Sequence, residues 1–250
     1  MKLDCILTAC NLKPLYIEFI PYFINMCKKL YPDVDVKIVL IADSIPEEYI
    51  QYSDNIILYN PPPNISTCFI SQYIRILYPA ILNYENGVLI TDIDDVPLNN
   101  KYFTKNIRNI PNHKWVNLRE WKTKDQICMA YQVATPINWK EVFGIKSIEC
   151  INERLTSVYS QINYKDGSTS GDWFKDQRDL YTYVMDWNKK TNNYIFLRDK
   201  ETGFNRLGRN RHFNINEIKD DIKNGKYSDY HCLRPYSKYK IINDKIYDML

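Results

Sequence analysis

The stretch Val88-Leu89-Ile90-Thr91-Asp92-Ile93-Asp94-Asp95-Val96-Pro97-Leu98-Asn99 decides how the rest of the chain reads. An apolar, β-prone run from Val88 to Ile90 stops abruptly at three carboxylates. Pro97 bars a central strand from continuing, because it has no N–H to give a neighbour. A buried strand thus delivers acid to its own carboxyl end, and in an open α/β sheet that end is where ligands sit. In a fully extended segment Asp92 and Asp94 would leave from one face, close enough for their oxygens to share one hard cation.

Working outward, residues 3–8 read as a strand. Apolar residues at helical spacing (Ile17, Ile20, Phe23, Ile24, Cys27, Leu30) predict a helix over 15–31, ended by Pro32. Residues 36–42 are nearly all apolar, as in a strand covered on both faces, with Asp43 at the carboxyl end. A short helix over 46–52 and a third strand over 56–59 follow. Alternating strands and helices imply a parallel sheet with right-handed crossovers. Beyond three consecutive prolines a helix is expected from Ser66 or Ser71 to Leu82, kinked by Pro79, and the Asn86-Gly87 turn leads into the acidic strand. Downstream, 115–118 and 126–134 read as strands, 139–143 as a short helix, 166–171 as a polar loop and 172–186 as a helix. After Asn192 only short strands and loops are expected. No repeat or low-complexity linker divides the chain.

A chain of 250 residues with 45% hydrophobic content has the size and apolar material of one large domain. Its 33 basic and 30 acidic residues balance to +3, which does not suggest a nucleic-acid binder. The charge is uneven: 198–240 hold 11 Lys/Arg against 6 Asp/Glu, so the C-terminal part favours an anionic ligand. Seven scattered cysteines without a C-x-x-C pair indicate neither a zinc site nor a disulfide framework, and read as small core residues of a reduced, cytosol-like compartment. No signal peptide or membrane-span-length apolar run is seen, so a soluble, cytoplasmic protein is the expectation.

Taken together, Tyr73-Ile74-Arg75 through Pro79 to Leu82, followed by Val88 to Asp94, resembles glycosyltransferases of the GT-A fold, most closely the glycogenin-like group. Thr8-Ala9-Cys10-Asn11 looks like that group's opening loop under the nucleotide base. Trp173-Phe174-Lys175-Asp176-Gln177 resembles the Asp-Glu or Asp-Gln helix start on the acceptor side, and Tyr230-His231-Cys232-Leu233-Arg234-Pro235 is similar to the late His motif. The chain departs from the group in having Leu233 and Arg234 where a Gly and a nearby Lys usually follow the His, and in the extra acid Asp95, which leaves the register of the metal ligands open.

The resemblance implies a Rossmann-like, mostly parallel α/β sheet flanked by helices, with a smaller mixed acceptor-side region. It implies a single domain, 1–250, whose residues 1–99 bind the nucleotide sugar and whose residues 100–250 serve the acceptor and close the site. The implied activity moves a sugar, from a UDP-sugar, to a hydroxyl of a glycan or glycoprotein acceptor. The implied cofactor is Mn²⁺ or Mg²⁺ on Asp92, Asp94 and His231, a mixed nitrogen and oxygen set that suits Mn²⁺ better than Ca²⁺. His113 and His212 lack such a motif and read as structural. The implied donor contacts are Thr8, Ala9, Asn11, Arg75, Ile93, Asp94, Arg206, Arg209 and Arg234. Arg75 is placed to reach either the diphosphate or an Asp of the motif, and one or two of Arg206, Arg209, Arg211 and Arg234 are expected to face the diphosphate. Asp176 is the expected acceptor-side carboxylate, with Asp172 beside it. In an inverting reaction it would deprotonate the acceptor hydroxyl; in a retaining one it would orient the acceptor or stabilise positive charge. Trp121, Tyr131 and Trp173 are candidates to stack on sugar faces. A silent binding module of the same fold, and a sugar-phosphate nucleotidyltransferase, are the alternatives; the glycine-rich N-terminal loop of the latter is absent.

Overall fold

Seven strands form the central sheet of the computed structural model, which describes residues 1–120, 123–167, 171–209 and 213–250. In chain order the strands are β1 (Leu3–Asn11), β2 (Asp35–Ile41), β3 (Ile56–Tyr59), β4 (Gly87–Ile90), β5 (Asp95–Pro97), β6 (Trp115–Asn117), β7 (Gln132–Ala134), β8 (Tyr194–Phe196), β9 (Arg206–Gly208) and β10 (Asp229–His231). The large sheet has the order β3-β2-β1-β4-β7-β6-β8. Its β3-β2-β1-β4 half is parallel throughout, and β7 runs antiparallel to both its neighbours.

Alternation along the strands supplies both faces with core. Ile6, Ile38, Leu40 and Leu89 point to the face covered by the helix Ile20–Leu30, whose Phe23, Ile24 and Cys27 meet them. Leu7, Val39, Val88 and Ile90 point the other way, under the helices Thr67–Leu77, Pro136–Phe143 and Lys175–Thr191. Burial on both sides is why these strands read as unbroken apolar runs. Each fully buried side chain of this kind contributes about 1.5–3 kcal/mol. Gly87 opens β4 because there is no room for more: a Cβ would lie 2.9 Å from Val133 Cγ1 and 3.0 Å from the Lys2 carbonyl oxygen. Gly87→Ala is therefore expected to lower stability by about 1–3 kcal/mol, read as a lower urea midpoint.

A second, three-stranded sheet, β5-β10-β9, is mixed, with β10 antiparallel to β5 and parallel to β9. Its register sets His231 opposite Asp95 on one side and opposite Gly208 on the other. Pro97 sits on β5, an edge strand of this sheet, where its missing N–H costs nothing.

The helix expected to reach Leu82 ends at Leu77 and passes into a 3₁₀ helix, Tyr78–Ile81, and four other expectations change. The helix expected over 15–31 is two, Pro14–Ile17 and Ile20–Leu30, with a proline in the first turn of each, where a missing N–H is tolerated. The short helix over 46–52 is a 3₁₀ helix, Glu47–Asn55. Of the strand expected over 126–134 only β7 forms. Beyond Asn192 the chain forms two further substantial helices, Ile215–Lys223 and Tyr236–Asp248. All seven cysteines are free, six of them buried. Among the described residues no helix is long and apolar enough to cross a membrane.

Candidate active site

β4 does not run on through its acids. The Asp95 N–H donates to the Asp92 carbonyl at 3.1 Å and the chain turns over Ile93 and Asp94, so the two carboxylates face different partners instead of sharing a strand face. Asp92 pairs with Arg75, while Asp94 Oδ2 takes Arg209 Nη1 at 2.6 Å and Arg234 Nη1 at 3.1 Å, with His231 Nε2 at 3.7 Å. The backbone holds this arrangement: Cys232 N–H donates to the Asp94 carbonyl at 2.8 Å, tying the strand that carries His231 to the acidic turn.

A cleft of about 220 Å³ opens here, at the carboxyl ends of β1 and β4. Ala9, Cys10 and Tyr16 line one part and Ser71, Gln72 and Arg75 of the helix Thr67–Leu77 another. The acids, His231, Arg209, Arg234, Trp173, Asp176 and Gln177 complete it. Arg75 is only 5% exposed and joins two parts of the site, bonding Asp92 and lying 3.5 Å from Asp176 Oδ2. A second cleft of about 640 Å³ shares Asp92, Met129, Gln177, Arg209 and His231 with the first and continues past Arg119, Phe204 and Arg206.

No protein-family model matches the sequence, and no curated protein matches it. Solved structures do. LgtC, a galactosyltransferase in complex with donor and acceptor sugar analogs, superposes over 98% of this chain and 94% of its own, with a TM-score of 0.51 at 11% identity. An active-site mutant of LgtC gives 0.51 at 12% identity, over 92% of this chain and 88% of its own. The fold is GT-A. The glycosyltransferase GlyE of Streptococcus pneumoniae covers all of this chain and 52% of its own at 14% identity, with a TM-score of 0.48.

GT-A glycosyltransferases commonly use a divalent metal, and the donors present can be weighed for one. Among the described residues no three His, Cys, Asp or Glu side chains form a ready ligand cluster. Two donors nevertheless stand at a spacing one ion can bridge, Asp94 Oδ2 and His231 Nε2, 3.7 Å apart. Asp95 Oδ1, buried with no hydrogen-bond partner, lies 3.9 Å from the same Nε2. An orphaned buried carboxylate oxygen facing an imidazole nitrogen suits a small cation. Asp92, whose side chain is 41% exposed, is turned toward Arg75, so a third oxygen for such an ion could come from Asp92 or from Asp95.

Charge in the site is tuned by burial against these partners. Burial opposes ionisation of Asp94, but its neighbours His231, Arg209 and Arg234 outweigh it and hold the carboxyl below its ordinary range. For Asp95 burial wins over Arg206 and His231, and its carboxyl is pushed up. Asp176 is pushed up to about 7, because burial costs it more than Arg75 returns; that guanidinium lies 3.5 Å away and shares its charge with Asp92. A raised carboxyl lowers stability as pH climbs from its unfolded value near 4 through 7. Asp176→Asn is therefore expected to match the wild-type denaturation free energy near pH 4 and to exceed it by about 2–4 kcal/mol at pH 8. A constant difference across that range would contradict the assignment.

The cleft takes in Ala9, Arg75, Asp92, Ile93, Asp94, Trp173, Asp176, Arg209, His231 and Arg234 among the residues expected from sequence. It leaves others out. Thr8 is fully buried with its hydroxyl unpartnered. The Asn11 amide is spent on Thr67 Oγ1 and Cys68 Sγ, both at 3.0 Å, fixing the β1 loop to a helix start. Arg206 is held by Asp95 and the buried Asp229 and faces the second cleft only. Tyr131 is not placed to stack on a sugar: it is fully buried and its hydroxyl donates to Asp229. Asp172 lies outside the cleft and accepts from the Asn163 N–H at 2.9 Å. Trp121, Arg211 and His212 lie outside the described residues.

Among the cleft side chains not assigned a role from sequence, two carry polar chemistry that bears on the site. Tyr16 accepts from Arg234 Nη1 at 3.1 Å, and that guanidinium lies over its ring at 5.3 Å. Gln177 has a buried side-chain carbonyl without a partner and lines both clefts. The Asp176-Gln177 pair at the helix start was the available signal for Gln177; Tyr16 had none.

Proposed function

We propose that the chain is a divalent-metal-dependent glycosyltransferase that moves a sugar from a nucleotide-sugar donor, a UDP-sugar, to a hydroxyl of a glycan or glycoprotein. The observation that carries this reading is the convergence of Asp94, His231, Arg209 and Arg234 around one carboxylate oxygen at the carboxyl end of the parallel sheet, in a cleft that also holds Asp176 and Gln177. The fold it shares with LgtC, itself a galactosyltransferase, supports it.

In such a transfer the bond from the anomeric carbon to the diphosphate breaks as the acceptor oxygen bonds to that carbon, and the nucleoside diphosphate leaves. Arg209 and Arg234 suit bidentate contact with the departing diphosphate. Asp94 and His231, with Asp92 or Asp95, are the residues to hold Mn²⁺ or Mg²⁺, which when bound neutralises charge growing on the leaving group. Asp176, titrating near neutrality, is matched to hold or accept the acceptor proton. Trp173, stacked on Tyr164 at 5.9 Å between centroids, keeps its remaining surface toward the cleft for a sugar face. The uridine donor rests on the resemblance of the β1 loop to the glycogenin-like group.

The test is turnover with a panel of UDP-, GDP-, dTDP- and CMP-sugars, each with Mn²⁺ and with a chelator. Free nucleotide released from one donor class, only with the ion, is expected. A silent binding module would release none from any donor. A nucleotidyltransferase would instead free pyrophosphate from a nucleoside triphosphate and a sugar phosphate.

A further inference from the structure

Asp94 Oδ2 carries more partners than one oxygen can share with an added cation. Arg209 and Arg234 both contact it, at 2.6 and 3.1 Å, and His231 Nε2 stands 3.7 Å away. A divalent ion entering between Asp94 and His231 would meet two guanidiniums at close range in a largely buried setting, where like charges repel strongly. The two arginines differ from Arg206 in having one carboxylate partner each, Asp94, among the described residues. Arg206 is pinned by two buried carboxylates, Asp95 and Asp229. Arg209 and Arg234 have side chains 20% and 28% exposed on the cleft wall, and Arg234 has a second resting place against the Tyr16 hydroxyl and ring.

We propose that Arg209 and Arg234 form a latch on Asp94 that couples the two ligands of the cleft: a diphosphate draws both guanidiniums to itself, and the carboxylate so released completes the cation site with His231. The proposal rests on the cation and diphosphate reading above and adds the order it imposes. Without an anion the site neutralises itself and binds cation weakly; with the anion seated, both charges find partners. Coupling of this kind is reciprocal, so the cation must tighten anion binding by the same factor that the anion tightens cation binding.

The test reads cation binding alone, because an ion that ligates phosphate directly would show cooperativity with any site. Mn²⁺ is titrated into the full chain, with free ion followed by electron paramagnetic resonance and no nucleotide or phosphate present. Arg209→Gln/Arg234→Gln is expected to bind Mn²⁺ at least tenfold tighter than wild type, each single variant falling between. Arg234→Lys, which keeps the charge, is expected to stay within about twofold of wild type, separating the latch from a general loosening of the cleft. Neutral variants that bind Mn²⁺ no tighter than wild type overturn the latch and leave the cation site standing. Absence of Mn²⁺ binding in every protein, the double variant included, overturns the latch and the cation assignment together.

Discussion

Asp94→Asn is expected to cut sugar transfer about a thousandfold. Asp94 is the carboxylate on which His231 and both cleft arginines converge, so the substitution removes the charge that would hold a cation and position the diphosphate contacts. A Lewis-acid ion supplies several kcal/mol in the transition state, and about 4 kcal/mol corresponds to three orders of magnitude. The fold should survive, because the abandoned partners are not deeply buried: the side chains of Arg209, His231 and Arg234 are 20%, 24% and 28% exposed and find water. Because Asp94 ionises more readily in the folded chain, the stability it contributes is present above its unfolded value near 4 and lost as pH falls below that. The variant should therefore be less stable at pH 7, by about 1–3 kcal/mol, and approach wild type in acid. Undiminished turnover would remove Asp94 from the site.

Arg75→Met is expected to be the most damaging single change to both fold and activity. Arg75 is buried, bonds Asp92, lies against Asp176 and donates to the Thr91 carbonyl at 3.3 Å and the Gln72 carbonyl at 3.2 Å. Methionine keeps much of the packing but leaves Asp176 as a buried carboxylate without its cation, an imbalance that costs about 3–5 kcal/mol when one partner of a buried pair is removed. The loss should deepen as pH rises, since the Asp176 carboxyl, already raised to about 7, moves further up when Arg75 no longer counters burial. Arg75→Met/Asp176→Asn is then expected to recover most of the stability while remaining inactive. Recovery of transfer along with stability would show that neither side chain touches the reacting groups.

The parts of this molecule legible in its sequence are those where one physical signal dominates. β1, β2 and β4 are buried on both faces, so their apolar runs could be read directly, and the acids after Ile90 marked the edge of the sheet where the cleft opens. The missed C-terminal helices bury little: Ile215–Lys223 covers Ile218 and Ile222, and Tyr236–Asp248 covers Asn243 and Ile246. Ile215, Ile218 and Ile222 do recur at helical spacing, but in a short, charge-rich segment, and the second helix buries one apolar residue, Ile246, beside the polar Asn243. In the cleft, Asp94, Asp176, His231 and Arg234 were reached through motif-like neighbourhoods and Arg209 through the local excess of basic residues, and the structure gathers them. Extended geometry was the wrong basis for pairing Asp92 with Asp94, because a turn intervenes and His231 arrives through the β5–β10 register, opposite Asp95. Tyr131 shows the converse: an aromatic residue type says nothing of depth, and this one is sealed beneath the site with its hydroxyl on Asp229.

The most direct measurement is the thermal midpoint of wild type and Asp94→Asn with UDP, GDP, dTDP and CMP, each with Mn²⁺ and with a chelator. A ligand that binds only the folded state raises stability by about 2.7 kcal/mol at a hundred times its Kd. The cleft assignment predicts a shift for one nucleotide, UDP, that needs the ion and vanishes in Asp94→Asn. No shift for any nucleotide, or one that persists undiminished in Asp94→Asn, would contradict it.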